Sequence, residues 1–188
     1  MTADAPLRID WLEGPLRGEG LRGRLGLTIL PGKHGPSSRY PGRVYRRDLA
    51  DDIAVLAAQG VRCLILLVED HELRRWGSAE IVKVAAGLGV KIVRHPMPDG
   101  GVPASPTEMD VILAEVDTAR RDANAAVACM GGVGRSGTVG ACALLAGGLS
   151  VDEAIAQVRR VRHPEAVETA PQWAFVEAYA SHLASRAG

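Results

Sequence analysis

Cysteine, net charge and long apolar runs are all scarce in this chain of 188 residues. Its three cysteines are too few for the disulfide framework of a secreted domain, which favours a reducing compartment. Lysine and arginine number 22, as do aspartate and glutamate, so we expect no general attraction for nucleic acid. The longest uncharged run, residues 137–149, is too short and glycine-rich to span a bilayer. No signal peptide is visible, and we expect a soluble, cytoplasmic protein.

Length and composition indicate one folded domain. Hydrophobic residues make up 47% of the chain and charged residues 23%, which is typical of a globular protein that buries a full core. Residues 1–24 are rich in glycine and arginine and show no period, so we interpret them as an N-terminal extension. Residues 25–188 then form the domain, which we expect to be a monomer that binds no membrane.

From residue 25 onward, strand-like and helix-like segments alternate. The predicted strands are residues 25–30, 61–68, 90–95 and 125–129. The predicted helices are 48–60, 78–88, 106–122, 136–146, 151–161 and 171–185. Residues 33–47 are predicted to be a basic loop and residues 69–76 a polar connection. This alternation predicts an α/β fold, a three-layer sandwich whose central, mostly parallel sheet is flanked by helices.

The most informative segment is CMGGVGRSG, residues 129–137, between a buried strand and a helix. Its glycines allow several backbone N–H groups to converge on an anion, and the helix adds its positive N-terminal end. A cysteine beside such a site has its nucleophilic thiolate form stabilised. The planar guanidinium of Arg135 can hold two oxygens of a tetrahedral oxyanion. This combination predicts attack of Cys129 on phosphorus while Arg135 binds the phosphoryl oxygens.

Two other interpretations of this segment are weaker. Gly132, Gly134 and Gly137 also fit a dinucleotide-binding fingerprint, but no second strand ending in an acidic residue follows them. A structural cysteine beside a tight turn is the other alternative. It explains neither the density of glycine nor the presence of Arg135.

The Cys-x5-Arg-Ser pattern between a strand and a helix resembles the signature of the cysteine-dependent tyrosine and dual-specificity phosphatases. The wider chain is similar to the branch of cyclin-dependent-kinase-associated phosphatases and their bacterial relatives. The other matching segments are LPGK (30–33), DL (48–49), VEDHEL (68–73), HPMPDGGVP (95–103) and VETAPQ (167–172). The resemblance covers about residues 25–183. It implies a tyrosine-phosphatase-like fold and a catalytic domain over 25–188.

The resemblance implies a role for each residue of the phosphate loop. Cys129 is the nucleophile that becomes a cysteinyl phosphate. Arg135 binds the phosphoryl oxygens, and Ser136 donates a hydrogen bond that helps the thiolate to leave. The remaining phosphate-binding residues contribute their backbone; they are Met130, Gly131, Gly132, Val133 and Gly134.

Asp99 and Gln172 complete the set that the resemblance implies. Asp99 is the general acid for the leaving oxygen, and Gln172 positions the attacking water. The residues alone leave Asp99 open between an acid on a glycine-hinged loop and an ordinary Pro-Asp-Gly turn. Two positions depart from the family: Ala128 stands where a histidine is usual, and Glu168 replaces the first glutamine of a pair.

The function that we predict is hydrolysis of phosphomonoesters in proteins, on phosphotyrosine and, by extension, on phosphoserine and phosphothreonine. It requires a phosphorylated protein or peptide substrate and neither a cofactor nor a metal. One alternative is a catalytically weak phosphate-binding module, which Ala128 alone favours. Another is a phosphatase of phosphoinositides or small metabolites, which is less favoured because residues 130–134 contain no lysine.

Two further groups of side chains receive structural interpretations. Glu69, Asp70, His71 and Glu72 form a contiguous polar cluster that we interpret as a solvated loop rather than a metal site. Cys63 and Cys142 lie in apolar segments and are expected to be buried small hydrophobes. A disulfide from either of them to an oxidised Cys129 is the alternative.

Overall fold

The structure, a computed structural model, describes residues 4–16, 18, 20–37 and 40–187. Its strands are β1 (Asp10–Trp11), β2 (Leu25–Ile29), β3 (His34–Pro36), β4 (Val44–Arg46), β5 (Val61–Leu66), β6 (Lys91–Arg94) and β7 (Asn124–Cys129). Its helices are α1 (Leu49–Ala58), α2 (Asp70–Arg75), α3 (Ile81–Gly87), α4 (Pro106–Arg120), α5 (Gly134–Ala146), α6 (Val151–Val161) and α7 (Ala170–Ala187).

Five strands form the main sheet, in the order β1-β2-β7-β5-β6. The strands β2, β7, β5 and β6 are parallel, and only β1 runs antiparallel to its neighbour. In the register of the sheet, Ile29 pairs with Cys129, and Ala128 pairs with both Thr28 and Leu66. The carboxyl ends of these strands therefore meet at one edge, which is where α/β sheets bind ligands. The predicted mixed fold with a mostly parallel sheet is confirmed.

Helices flank the sheet. The helices α1 and α3 pack on each other and against β5 and β6. The helices α4 and α5 pack against β7, and α6 and α7 pack against α5. Residues 134–145 of α5 are all buried, as expected for a helix that other elements surround. The central strand β7 and the helix that follows it are thus the most enclosed parts of the fold.

Two segments predicted to lack regular structure contain elements. The basic loop 33–47 holds the antiparallel pair β3–β4. The polar connection 69–76 contains α2, which begins with a capping box in which Glu69 and Glu72 satisfy each other's backbone N–H groups. Neither element is long enough to show a hydrophobic period, so both predictions were wrong for the same reason.

The helix predicted to begin at Ser78 begins at Ile81 instead. The Ser78 hydroxyl is buried and donates to the carbonyl oxygen of Pro31 at 2.7 Å. This side chain therefore joins two segments distant in sequence rather than capping a helix.

The predicted N-terminal extension packs on the domain over the part that the structure describes. The strand β1 adds an edge to the sheet, and the apolar residues Leu7, Ile9 and Leu12 are buried. Residues 1–3, 17 and 19 of this segment lie outside the described residues. The domain boundary at residue 25 stays a prediction. Among the residues described, no helix combines the length and apolarity that crossing a membrane requires.

Candidate active site

The strand β7 delivers Cys129 to the carboxyl edge of the sheet, and the chain then turns sharply into α5. The Cys129 Sγ accepts a hydrogen bond from the backbone N–H of Gly132 at 3.2 Å. Gly132 has a φ of 69°. A Cβ at this position would lie 2.3 Å from the carbonyl oxygen of Thr28, so the tight turn requires glycine.

The outward-facing carbonyls of this turn are held by cationic side chains. Arg162 donates from Nε to the carbonyl of Gly132 and from Nη2 to that of Gly131, both at 2.9 Å. Its Nη1 forms an ion pair with Asp10 of β1. Because a peptide's C=O and N–H point in opposite directions, holding these carbonyls outside turns the following N–H groups toward the thiol. The edge strand β1 thereby contributes to the shape of the phosphate loop.

The environment of Cys129 favours its thiolate. Burial raises the pKa of the thiol, but the Arg135 charge and hydrogen bonds from Ser136 and Val133 outweigh this effect and hold the pKa below its ordinary value of 9.0. The Ser136 hydroxyl is buried and has no hydrogen-bond partner within the described part of the chain, so the Ser136 donor to the thiolate is its backbone N–H. The loop therefore stabilises the nucleophilic thiolate form of Cys129.

The other two cysteines lack this activation. Burial raises the pKa of Cys63 to about 11 and that of Cys142 well above 9.0. Cys63 pairs with Ala125, four residues before Cys129 on β7 and so about 13 Å from it along the strand. Cys142 lies about 12 Å along α5 from the first residue of the helix. A disulfide needs Cα atoms within about 7 Å, so the geometry favours the prediction of structural cysteines.

Arg135 is almost completely buried, with 1% of its side chain exposed, and Glu72 of α2 pairs with it. Its two terminal nitrogens, Nη1 and Nη2, donate to the two Glu72 carboxylate oxygens at 2.7 Å each. Nη1 also donates to the carbonyl of Met97 at 2.9 Å. Burial alone lowers the pKa of Arg135, but Glu72 and Cys129 raise it further than burial lowers it. The guanidinium is therefore permanently charged and fixed in orientation.

Sequence reasoning missed Glu72, because it assigned the whole acidic cluster to solvent. The side chain is instead 6% exposed. Its pKa lies below the ordinary value, since the Arg135 hydrogen bonds overcome the opposing effect of burial. Its position could have indicated a role in the site, because Glu72 follows β5, the strand next to β7 in the sheet.

The loop of residues 95–103, which we call the acid loop, brings Asp99 to the same site. The Asp99 Oδ1 accepts from Arg135 Nη2 at 3.0 Å, and 65% of its side chain is exposed. The loop is tied to the region before and at the start of α7. Thr169 donates to the carbonyl of Gly100 at 3.0 Å, and Gln172 donates to that of Gly101 at 3.1 Å. Asp99 is thus held at the mouth of the pocket.

Gln172 is completely buried, and its side-chain amide both accepts and donates hydrogen bonds. Its Oε1 accepts from the backbone N–H groups of Glu168 at 2.8 Å and Thr169 at 3.3 Å. Its Nε2 holds the acid loop, so the structural contribution of this residue is to link that loop to α7. The role of Gln172 in positioning water stays a prediction. The preceding Val167 has a φ of 60°, a strained conformation for a β-branched residue, directly before the pocket-lining Glu168.

These elements enclose a cavity of about 320 Å³. Its floor is the phosphate loop with Cys129 and Arg135, and its walls include Lys33, Tyr45 and Asp99. Several donors and positive charges therefore surround one thiol, an arrangement that suits a tetrahedral oxyanion. Over the described ranges, no three or more histidine, cysteine or acidic side chains are grouped to hold a metal ion.

We predict that Glu72→Gln weakens the site without abolishing the fold. The buried Arg135 charge loses its carboxylate partner, so the free energy of unfolding falls by about 3 kcal/mol. Because the pKa of Glu72 is lowered, the difference is fully present above pH 4.5 and shrinks as the pH falls through the folded-state pKa. Chemical denaturation across pH measures this effect, and sulfate titration reports the weaker anion site.

The matched control is Asp70→Asn on the same helix, where 71% of the side chain is exposed. This change alters the free energy of unfolding by no more than about 1 kcal/mol. If Glu72→Gln leaves both stability and sulfate affinity unchanged, Arg135 is oriented by Met97 and Asp99 alone.

Comparison with known proteins identifies the family. The family model described as cyclin-dependent kinase inhibitor 3 (CDKN3) matches residues 2–156. The human cyclin-dependent kinase inhibitor 3 is 29% identical over 190 residues, covering 96% of this chain and 84% of the human protein.

Solved structures point to the same group of proteins. A crystal structure of kinase associated phosphatase with its catalytic-site cysteine replaced by serine is 25% identical and has a TM-score of 0.79, covering 96% of this chain and 98% of the other. PTPMT1 in complex with PI(5)P, 19% identical with a TM-score of 0.66 over 87% of this chain and 94% of the other, shares the fold. The chain therefore belongs to the cyclin-dependent kinase inhibitor 3 family and is a cysteine-dependent phosphatase of the dual-specificity and tyrosine phosphatase superfamily.

Proposed function

We propose that this protein is a protein phosphatase that hydrolyses phosphotyrosine and also phosphoserine and phosphothreonine esters. The observation that carries the proposal is a buried thiol with a lowered pKa beside the Arg135 guanidinium, to which the Asp99 carboxylate is also bonded at 3.0 Å. Nucleophile, oxyanion clamp and acid thus converge on one cavity. The reaction uses side chains and backbone alone, with no metal or cofactor.

In the first step, the Cys129 thiolate attacks phosphorus and a sulfur–phosphorus bond forms. The phosphorus–oxygen bond to the substrate breaks, and Asp99 gives its proton to the leaving oxygen. Arg135 and the inward N–H groups of residues 130–134 bind the phosphoryl oxygens, on which negative charge accumulates. Because Glu72 already fixes the guanidinium, little reorganisation accompanies this charge.

In the second step, water attacks phosphorus and the sulfur–phosphorus bond breaks. Asp99, now a carboxylate, takes the proton from the water, and inorganic phosphate leaves. The hydroxyl of Ser136 donates to the departing thiolate, a role supported by its lack of a hydrogen-bond partner among the described residues. In this proposal Gln172 orients the water from the side of the acid loop.

The substrate class rests on two observations. The similar structure is named a kinase associated phosphatase, and the human relative is named for a kinase. The backbone-lined loop 130–134 carries no lysine, which favours a phosphorylated side chain over a highly charged lipid headgroup. The shared fold of PTPMT1 with PI(5)P makes a phosphoinositide the alternative substrate. A weak phosphate-binding module is the other alternative, against which the complete set of reacting groups argues.

The nucleophile prediction concerns Cys129→Ser. Turnover of an aryl phosphate falls by a factor of about a thousand or more, because the hydroxyl is a far weaker nucleophile than the thiolate. Sulfate still binds, since Arg135 and the loop backbone remain. Steady-state kinetics and sulfate titration measure the two effects. The control Cys63→Ala retains turnover, and substantial turnover by Cys129→Ser would falsify the mechanism.

The general-acid prediction concerns Asp99→Asn. With poor leaving groups, kcat falls by about 10²–10⁴, whereas activated aryl phosphates, whose leaving oxygen needs less protonation, lose less. A series of aryl phosphates of graded leaving-group pKa tests this dependence. The control is Asp122→Asn, an exposed position just after α4, which leaves kcat unchanged. Equal losses across the series assign Asp99 a structural role instead.

The substrate prediction concerns the ranking of kcat/KM. A phosphotyrosine peptide ranks first, a phosphothreonine peptide follows, and a soluble phosphoinositide ranks last. The Cys129→Ser protein supplies the background rate for each compound. A phosphoinositide that clearly ranks first overturns the protein-phosphatase assignment while leaving the cysteine mechanism in place.

A further inference from the structure

The proposed mechanism leaves one buried charged side chain of the pocket unused, that of Lys33. This residue lies between β2 and β3 and is 4% exposed, which is rare for lysine without partners. Its Nζ donates to the carbonyl of Met130 at 3.3 Å. The ammonium also lies 4.0 Å from the ring centre of Tyr45 and 4.6 Å from that of Trp76. Two aromatic faces and a carbonyl thus stabilise a cation in the wall of the cavity.

The backbone that carries Lys33 is firmly anchored. The N–H of the preceding Gly32 donates to Asp52 of α1 at 2.9 Å. Asp52 is also held by both ends of the Arg47 guanidinium, at 2.7 Å each. The following residue, His34, donates its N–H to the carbonyl of Trp76 at 2.8 Å. The ammonium is therefore placed by rigid neighbours rather than by a flexible side chain alone.

Cationic side chains bind three consecutive carbonyl oxygens of the phosphate loop. Lys33 holds the carbonyl of Met130, and Arg162 holds those of Gly131 and Gly132. Each held carbonyl directs the next residue's N–H to the opposite side. The Gly132 N–H accordingly reaches the Cys129 Sγ.

The charges around Lys33 make it sensitive to pH. Its pKa is lowered from 10.5 to about 8, mainly by burial and to a smaller extent by Arg43, on the β3–β4 turn. Cys129 on β7, Asp99 on the acid loop and Glu72 on α2 oppose this shift. The ammonium is therefore mostly charged at neutral pH and loses its proton as the pH rises through about 8.

We infer that Lys33 is a positioning residue of the phosphate site, whose charge stabilises the Cys129 thiolate and the bound oxyanion and whose hydrogen bond fixes the Met130 peptide. The inference rests on the proposed function and adds to it a source of positive charge outside the Cys-x5-Arg loop. It also explains how the site activates its thiol although Ala128 offers no side-chain donor next to the nucleophile. Anion binding is consequently strongest below about pH 8 and weakens above it.

Sulfate titration of the Cys129→Ser protein tests this inference. Sulfate is doubly charged at both pH 7 and pH 9. Because serine replaces Cys129, no thiol at that position titrates between these pH values. The affinity falls by about tenfold between pH 7 and pH 9 as Lys33 loses its charge. In Cys129→Ser/Lys33→Met, the affinity at pH 7 is lower by about the same factor and no longer changes with pH. The exposed Lys83→Met in the same background retains the pH dependence.

A second readout uses the thiol itself. In the otherwise unchanged protein, Lys33→Met raises the pKa for alkylation of Cys129 by iodoacetamide by about one unit. A side chain that only fills space leaves that pKa unmoved, so an unchanged alkylation profile in folded Lys33→Met overturns the inference. If Lys33→Met does not fold, the Cys129→Ser protein decides alone: sulfate affinity that is equal at pH 7 and pH 9 overturns it.

These measurements need no turnover. Failure of the proposed function appears as a lack of phosphatase activity in a protein that still binds sulfate with the predicted pH dependence. The inference fails if the protein is an active phosphatase whose sulfate affinity and Cys129 pKa are both unchanged by Lys33→Met.

Discussion

The buried pair of Arg135 and Glu72 is the interaction on which the rest of the site depends. Removing two charges from water is unfavourable, and only good geometry with further hydrogen bonds compensates. Here both carboxylate oxygens are engaged at 2.7 Å, and the Met97 carbonyl takes another guanidinium proton. The pair joins α5 to α2 and, through Met97, to the loop that carries Asp99. With that orientation fixed, Nη2 of Arg135 also donates to Asp99, so the same guanidinium positions the general acid and binds the oxyanion.

The local features of the site follow from the sequence because they are encoded within a few residues. Five glycine and apolar residues separate Cys129 from Arg135, and this spacing defines a turn between strand and helix. The helix α6 matches its predicted bounds, since Ser150 and Glu153 form a capping box at its start. Asp99 is found in the pocket because strand ends in a parallel sheet share an edge.

The residues that sequence reasoning missed depend on contacts between distant segments. Glu72 lies 63 positions from Arg135, and Lys33 lies 97 positions from Met130. Arg162 and Asp10 are separated by 152 positions. Each contributes a charge that ordinarily prefers solvent, so composition alone assigns it to the surface. Only the packing of α2, of the β3–β4 region and of β1 around the loop makes these charges part of the site.

The phosphate loop is shaped from outside as much as from within. Ala128 is completely buried between β2 and β5, so the position before the nucleophile serves the packing of the sheet. Order in the loop comes instead from cations that bind its carbonyl oxygens, Arg162 on the Gly131 and Gly132 carbonyls and Lys33 on that of Met130. Because each peptide has one donor end and one acceptor end, binding the carbonyl acceptors to these cations leaves the N–H donors for the anion. The N-terminal strand shares in this arrangement through the ion pair of Asp10 with Arg162, which makes the edge of the sheet part of the support of the catalytic loop.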